Sequence, residues 1–120
     1  MRTIIEIKGV IPGLNGNDGL IREHWGAAKK RKTKYQLLIR SQTKNRHTGA
    51  VRIQYIGYKS ILMDWDNFAA SFKHIGDSLV NAKVIVDDKP GIIVQFLPDQ
   101  IKCKRKDQKI VVIIDDYGSF

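Results

Sequence analysis

An apolar stripe with helical spacing is the feature that most constrains the fold of this 120-residue chain. The stripe recurs every three to four residues, the spacing of one helical face, and consists of Phe68, Phe72, Ile75 and Leu79. We therefore predict a helix from about residue 67 to residue 81. A helix with a single apolar face must bury that face against another element.

Alternating and β-branched runs on both sides of the stripe predict a sheet. Strands are predicted for residues 3–10, 50–58, 60–64, 83–86, 92–97 and 110–114, and a further helix for residues 22–45. The predicted order is β-α-β-(β)-α-β-β-β, with "DDKPG" as a turn between two strands. This order predicts a single α+β domain over residues 1–120, with two helices on one face of a mixed sheet.

The composition narrows the cellular setting. A single cysteine, Cys103, excludes an intramolecular disulfide, and the three scattered histidines give no structural zinc pattern. No apolar run approaches the ~20 residues of a membrane span. We expect a cytoplasmic protein with no membrane partner.

Positive charge is concentrated in two blocks of a chain whose formal net charge is +9. The first block is Lys29, Lys30, Arg31, Lys32 and Lys34, and the second is Lys102, Lys104, Arg105, Lys106 and Lys109. Runs of like charge repel one another, so they indicate a phosphate-rich partner such as nucleic acid. No aromatic-rich platform accompanies them, which favours contacts to the backbone of DNA or RNA. In the alternative interpretation the two blocks have no partner, and they are only a solvated helix face and an exposed loop.

Aspartates gather in one span of this basic chain. They are Asp64, Asp66, Asp77, Asp87 and Asp88. Residues two apart on a strand share a face, so Asp64 and Asp66 at a strand end are predicted to face one pocket. Such a carboxylate pair, joined by a third from the "DD" turn, suits Mg²⁺. In the alternative interpretation Asp66 caps a helix, and Asp87 and Asp88 shape a turn.

Helical periodicity adds a lysine to the aspartates. Asp66, Lys73 and Asp77 fall within about 40° of one another, opposite the apolar stripe. This face either lines a site where Lys73 meets phosphate, or is a solvated face with a Lys73–Asp77 pair four residues apart.

The composite pattern "DWDN…FK…DSL…VIVDD" resembles the Holliday junction resolvases of the RusA type, closely over residues 62–91. Their signature is Asp-x-Asp-Asn, a helix carrying Lys and Asp-(Ala/Ser)-Leu, and an Asp-Asp pair. The resemblance implies metal ligation by Asp64, Asp66 and Asp88, with Asp87 as a further candidate ligand. It also implies a catalytic Lys73 and secondary roles for Asp77 and Asn67. In the family pattern the lysine follows the second motif aspartate by four residues, whereas Lys73 follows Asp66 by seven.

The resemblance further implies a homodimer that makes paired nicks in a four-way DNA junction with Mg²⁺, for which Mn²⁺ can substitute, in a bacterium or a phage. Two rival hypotheses remain open. One is a non-catalytic nucleic-acid-binding module whose aspartates only cap and turn. The other is a metal nuclease that acts on other branched DNA, such as flaps or forks.

Overall fold

Two α-helices and one sheet make up the described part of the protein, whose structure is a computed structural model. It describes residues 1–9 and 25–117, without the side chains of residues 25–32. The described elements are, in order, β1 (Arg2–Lys8), α1 (Trp25–Gln42), β2 (Val51–Lys59), α2 (Trp65–Asn81), β3 (Ile93–Lys102), a 3₁₀ turn (Arg105–Asp107) and β4 (Lys109–Asp116). The end of the first predicted strand, at residue 10, and the predicted start of the helix at residues 22–45 lie outside the described residues.

The described strands form one mixed sheet in the order β1-β4-β2-β3. β4 is antiparallel to both β1 and β2, whereas β2 and β3 are parallel. Parallel neighbours need a crossover connection, and α2 lies on the connection between β2 and β3. β3 is an edge strand, which explains why it continues through Pro98 beyond its predicted end.

One face of the sheet carries the core. Alternate residues of β1, β2 and β4 are buried, including Ile5, Ile53 and Ile114. α1 contributes Tyr35 and Ile39 to the same cluster, and the predicted stripe of α2 is buried there in full. The predicted fold class, an α+β domain with two helices on one face of a mixed sheet, is therefore confirmed.

Gly57 fixes how closely α2 approaches the sheet. Phe68 of α2 stacks on Tyr55 of β2 with ring centroids 4.8 Å apart. A Cβ on Gly57 would lie 2.6 Å from a carbon of the Phe68 ring, so only glycine fits. This contact sets the position of the start of α2, where Asp64 is the N-cap residue and Asp66 lies in the first turn.

The strand predicted for residues 60–64 is wrong. Side chains take the place of a neighbouring strand here: Gln108 accepts a hydrogen bond from the Ser60 backbone N–H at 3.1 Å. Gln100 accepts one from the Met63 N–H at 2.8 Å and donates to the Met63 carbonyl at 2.9 Å. The segment therefore runs as an irregular link that leads directly into α2.

The strand predicted for residues 83–86 is also wrong, so "DDKPG" does not connect two strands. The Val84 N–H donates to the Leu79 carbonyl and the Lys83 N–H to the Val80 carbonyl, which is the Schellman ending of a helix. Lys83 takes the left-handed conformation, φ 63°, that this ending requires. Val84 and Ile85 are β-branched because they are buried beneath the helix end and not because they pair in a sheet.

Candidate functional site

The polar face of α2 is arranged as the helical periodicity predicts. Asp66 and Lys73 are exposed, Asp77 is half-buried, and the apolar stripe on the opposite side is buried. Lys73 Nζ lies 3.7 Å from Asp77 Oδ1, and the Lys73 side chain is 65% exposed. The ammonium therefore stays accessible to a ligand while Asp77 holds it near the surface of the helix.

Three aspartates line one cavity beside this face. Asp77, Asp87 and Asp88 surround a space of about 370 Å³ together with Val80 and Asn81. The Asp88 backbone N–H donates to Asp87 Oδ1 at 2.7 Å, which fixes the orientation of the Asp87 carboxylate. Carboxylates at an open cavity suit a hard cation that keeps several of its waters.

The end of α2 determines where Asp88 lies. The Schellman ending and the buried Val84 and Ile85 turn the chain back along the helix. A Cβ on Gly76 would lie 3.7 Å from Asp88 Cβ, an ordinary contact, so this residue passes close to the helix backbone. Asp88 also lines a second cavity of about 260 Å³, whose other walls include Ala69 and Phe72.

Asp64 and Asp66 lie at the opposite end of α2. Asp64 is the N-cap residue, where its carbonyl accepts the Phe68 N–H at 2.9 Å but its side chain makes no capping bond. Asp66 lies in the first turn, so it does not cap the helix as the alternative interpretation requires. The prediction that these two residues share a strand face is wrong, because the preceding segment is not a strand.

The candidate carboxylates are therefore spread along one helix. At 1.5 Å per residue, Asp66 and Asp77 are about 16 Å apart along the axis. Asp88 lies between them, since it lines cavities with Ala69, one turn after Asp66, and with Asp77. Within residues 1–9 and 25–117, no group of three or more His, Cys, Asp or Glu side chains is close enough to hold a metal ion.

The remaining motif residues flank Asp66. Asn67 is half-buried in the first turn of α2, whereas the Trp65 side chain is 56% exposed. The N-terminal end of a helix carries partial positive charge, which favours acidic residues such as Asp64 and Asp66 at this position. That effect alone is a sufficient structural reason for two acids at this position.

A buried lysine close to the Asp-x-Asp-Asn segment was not predicted from the sequence. Lys59, the last residue of β2, is 5% exposed, and its Nζ contacts Met63 Sδ at 3.0 Å. Burial lowers the pKa of this ammonium below its ordinary value. The alternation of the strand could have predicted this burial, because Lys59 falls on the same strand face as Val51, Ile53 and Tyr55.

The second basic block lies at the sheet end where α2 begins. Lys102 ends β3, and Lys104, Arg105 and Lys106 are exposed around the 3₁₀ turn. Arg105 and Lys106 line a cleft of about 640 Å³ whose other cations are Lys8 and Lys109. Glu6 and Asp107 also line it, and Lys109 Nζ lies 3.4 Å from Glu6 Oε1. Acidic neighbours thus partly neutralise this cleft.

The first basic block is visible in part. Lys34 is exposed on α1, while the side chains of Lys29, Lys30, Arg31 and Lys32 lie outside the described residues. The helix itself is present at these positions, so the block begins on a helix as predicted.

A third basic cluster was missed. It joins the C-terminal ends of both helices and consists of Arg40, Lys44, Arg46 and Lys83. Sequence separation hid this cluster, because Lys83 lies about forty positions after the other three and was assigned to a strand.

Comparisons with known proteins leave the family open. Neither the protein-family models nor the curated proteins give a match to this chain. In the described ranges, neither helix is both long enough and apolar enough to span a membrane.

Proposed function

We propose that this protein is a metal-dependent endonuclease that hydrolyses phosphodiester bonds in branched DNA, with four-way junctions as its substrate. One observation carries the proposal: a protein of net charge +9 gathers Asp77, Asp87 and Asp88 around one open cavity beside an exposed lysine. Carboxylates on a basic surface repel the polyanion that the surface attracts, unless a cation sits between them. The resemblance to RusA-type resolvases supports the same reading.

The donor set of this region fits Mg²⁺ or Mn²⁺, which prefer carboxylate oxygens and are often held by only one or two of them. Asp88 would be the central ligand, since it lines one cavity with Asp77 and another with Ala69, three residues after Asp66. Its partner would come either from Asp66 and Asp64 or from Asp77 and Asp87. When bound, the ion would polarise the scissile phosphate and lower the pKa of a coordinated water.

The residues of the chain would do the rest. Lys73 would donate to a phosphate oxygen and stabilise the charge that develops there, which helps the transition state more than the ground state. The clefts with their lysines and arginines would hold the DNA backbone without reading its sequence. A homodimer would place two such sites on a junction with twofold symmetry and produce paired nicks. We place this activity in the cytoplasm of a bacterium, with the gene carried by the host or by a phage.

Cleavage of a labelled synthetic four-way junction, beside a linear duplex and a fork, tests the proposal. We expect symmetric nicks in the junction with Mg²⁺ or Mn²⁺ and none with EDTA. Cutting of the fork at an equal rate would assign the enzyme to other branched DNA. Tight binding without cutting in either metal would identify a non-catalytic nucleic-acid-binding module.

Three substitutions locate the site within the helix face. Asp88→Asn is expected to reduce cleavage about 100-fold or more while junction binding persists or rises, because a repelling charge is removed. A similar loss in Asp66→Asn, with little in Asp77→Asn, would place the ion near the start of α2, and the reverse would place it in the cavity. Asp99→Asn, which removes an exposed carboxylate on β3, is the control and should cleave normally.

A further inference from the structure

A concave basic surface joins the ends of the two helices. It encloses about 430 Å³ and is lined by Arg40, Thr43, Lys44, Asn45, Arg46, Ala82 and Lys83. We refer to it as the helix-end cleft. Four of its lining residues are cations, and no carboxylate lines it among the described residues. It lies at the end of the sheet where β2 begins, since the His47 N–H, next to Arg46, donates to the Val84 carbonyl, next to Lys83.

Within the described residues, no acidic side chain neutralises the charge of this cleft. In the described part of the chain, none of the four cations forms an ion pair or a side-chain hydrogen bond. The cleft beside the 3₁₀ turn differs, because there Lys109 pairs with Glu6. Cations that repel one another and have no internal partner indicate an external anion.

Helix electrostatics account for only part of this cluster. The C-terminal end of a helix carries partial negative charge, which attracts cations within its last turn. This explains Arg40, in the last turn of α1, and favours Lys83 just beyond α2. It does not explain Lys44 and Arg46, which lie beyond the end of α1 at Gln42.

Lys83 occupies a position that disfavours its side chain. Within the described ranges it is the one residue other than glycine with a positive φ, 63°. Glycine is the usual residue at this position of a Schellman ending, because the Cβ of any other residue is sterically disfavoured there. A lysine kept at that cost indicates a use for its charge in the cleft.

The helix-end cleft adjoins the carboxylate cavity. Val80 and Asn81 line the cavity with Asp77, Asp87 and Asp88, and the next two residues, Ala82 and Lys83, line the cleft. A polymer held in the cleft therefore continues past the carboxylates within a few of its units.

We propose that the helix-end cleft binds the phosphodiester backbone of the DNA strand next to the scissile phosphate. The proposal rests on the proposed action on DNA, and it names the surface that brings a strand to the carboxylates. Among the residues that the structure describes, no aromatic side chain lines the cleft, so it is suited to bind phosphates and not to stack bases. A small phosphorylated ligand would need an enclosed pocket that buries most of its surface, whereas this cleft is open.

The test is the salt dependence of junction binding by a Lys44→Ala/Arg46→Ala double variant, measured by fluorescence anisotropy with EDTA present. Both residues are exposed, so the fold should persist, which the thermal midpoint checks. We expect about a tenfold or greater loss of affinity at moderate salt. The slope of log K against log salt should fall by nearly two, because each phosphate contact contributes about 0.9.

The comparison variant is Lys8→Ala/Lys109→Ala, which removes the same charge from the cleft beside the 3₁₀ turn. Glu6 and Asp107 already partly neutralise that cleft, so its loss of affinity is expected to be clearly smaller. Equal losses in the two double variants would mean that bulk charge alone holds the junction, which overturns the proposal. An unchanged affinity in the Lys44/Arg46 variant would also overturn it. Competition by inorganic phosphate or a mononucleotide as strong as that by the junction would show a small-ligand site instead.

The outcome separates this inference from the proposed function. If the Lys44/Arg46 variant binds weakly but wild-type protein never cuts, the cleft is a DNA grip and the endonuclease proposal fails. If wild-type protein cuts and the variant binds and cuts normally, the endonuclease stands and the cleft proposal fails.

Discussion

Lys59 places a positive charge on the buried face of a central strand. A carboxylate partner would normally accompany such a group, but within the described residues its Nζ contacts only the Met63 sulfur, a weak acceptor. Desolvation without compensation lowers the pKa of Lys59 and costs folding free energy. Residues kept at such a cost concentrate near functional sites, and Lys59 lies five positions before Asp64.

Lys59→Met is expected to raise the free energy of unfolding at pH 7 by roughly 1 kcal/mol, because methionine keeps an unbranched side chain of similar length and removes the buried charge. The lowered pKa of Lys59 also predicts the direction in which the free energy of unfolding changes with pH. A folded-state pKa below the ordinary 10.5 means that the unfolded state binds more protons, so wild-type stability rises as pH increases toward 10.5. Urea unfolding between pH 7 and 10.5 should show this rise in wild type and lose it in the variant. Lys102→Met, at the exposed partner position on β3, should leave the rise unchanged.

At the scale of secondary-structure elements, the sequence periodicity correctly predicted the features that depend on a single element. The stripe of α2 predicted a helix over residues 67–81, and the helix runs from Trp65 to Asn81. The β-branched run at residues 83–86 led to a wrong strand prediction, because burial beneath a helix end favours the same residue types as burial in a sheet. The row of Asp66, Lys73 and Asp77 followed from helix geometry, whereas the place of Asp88 depends on how the chain turns after α2, which no local pattern encodes.

Gly57→Ala is expected to destabilise the protein by about 1–3 kcal/mol. The added methyl group would lie 2.6 Å from the Phe68 ring, which is 1% exposed and stacked on Tyr55, so it has no space into which to move. Chemical unfolding measures the loss. Gly91→Ala is the control, because nothing lies within 4 Å of its added Cβ. Equal stabilities for the two variants would contradict the close packing of α2 on β2.

At the scale of the whole molecule, the basic surfaces lie at opposite ends of the sheet. The helix-end cleft is near the start of β2, and the cleft with Lys8, Arg105, Lys106 and Lys109 is near its end, about 26 Å away at the rise of a strand. The molecule measures 40 × 31 × 25 Å. Under the proposed function, a twofold dimer would present four such clefts to the four arms of a junction.

Buried polar contacts tie the terminal strand β4 to distant parts of the chain. Thr3 Oγ1 lies 2.8 Å from His47 Nε2, and His47 Nδ1 lies 2.7 Å from Asp116 Oδ1. This sequence of groups resembles a hydrolase triad, but Thr3 is 2% exposed and cannot reach a substrate. These contacts between Thr3, His47 and Asp116 instead join β1, the link after α1 and β4.

Acid should unfold the protein through the two carboxylates at the end of β4. The hydrogen bond from Arg2 lowers the pKa of Asp115, and the contact with His47 lowers the pKa of Asp116. A depressed folded-state pKa gives stability that is present above the unfolded pKa, near 3.8, and is lost as pH falls through the folded value. Urea unfolding from pH 7 to pH 2 should show this loss in wild type. Asp116→Asn should be less stable at pH 7 and lose less on acidification, whereas Asp99→Asn should follow wild type. An acid loss of wild-type size in Asp116→Asn would show that its contact with His47 contributes nothing to stability.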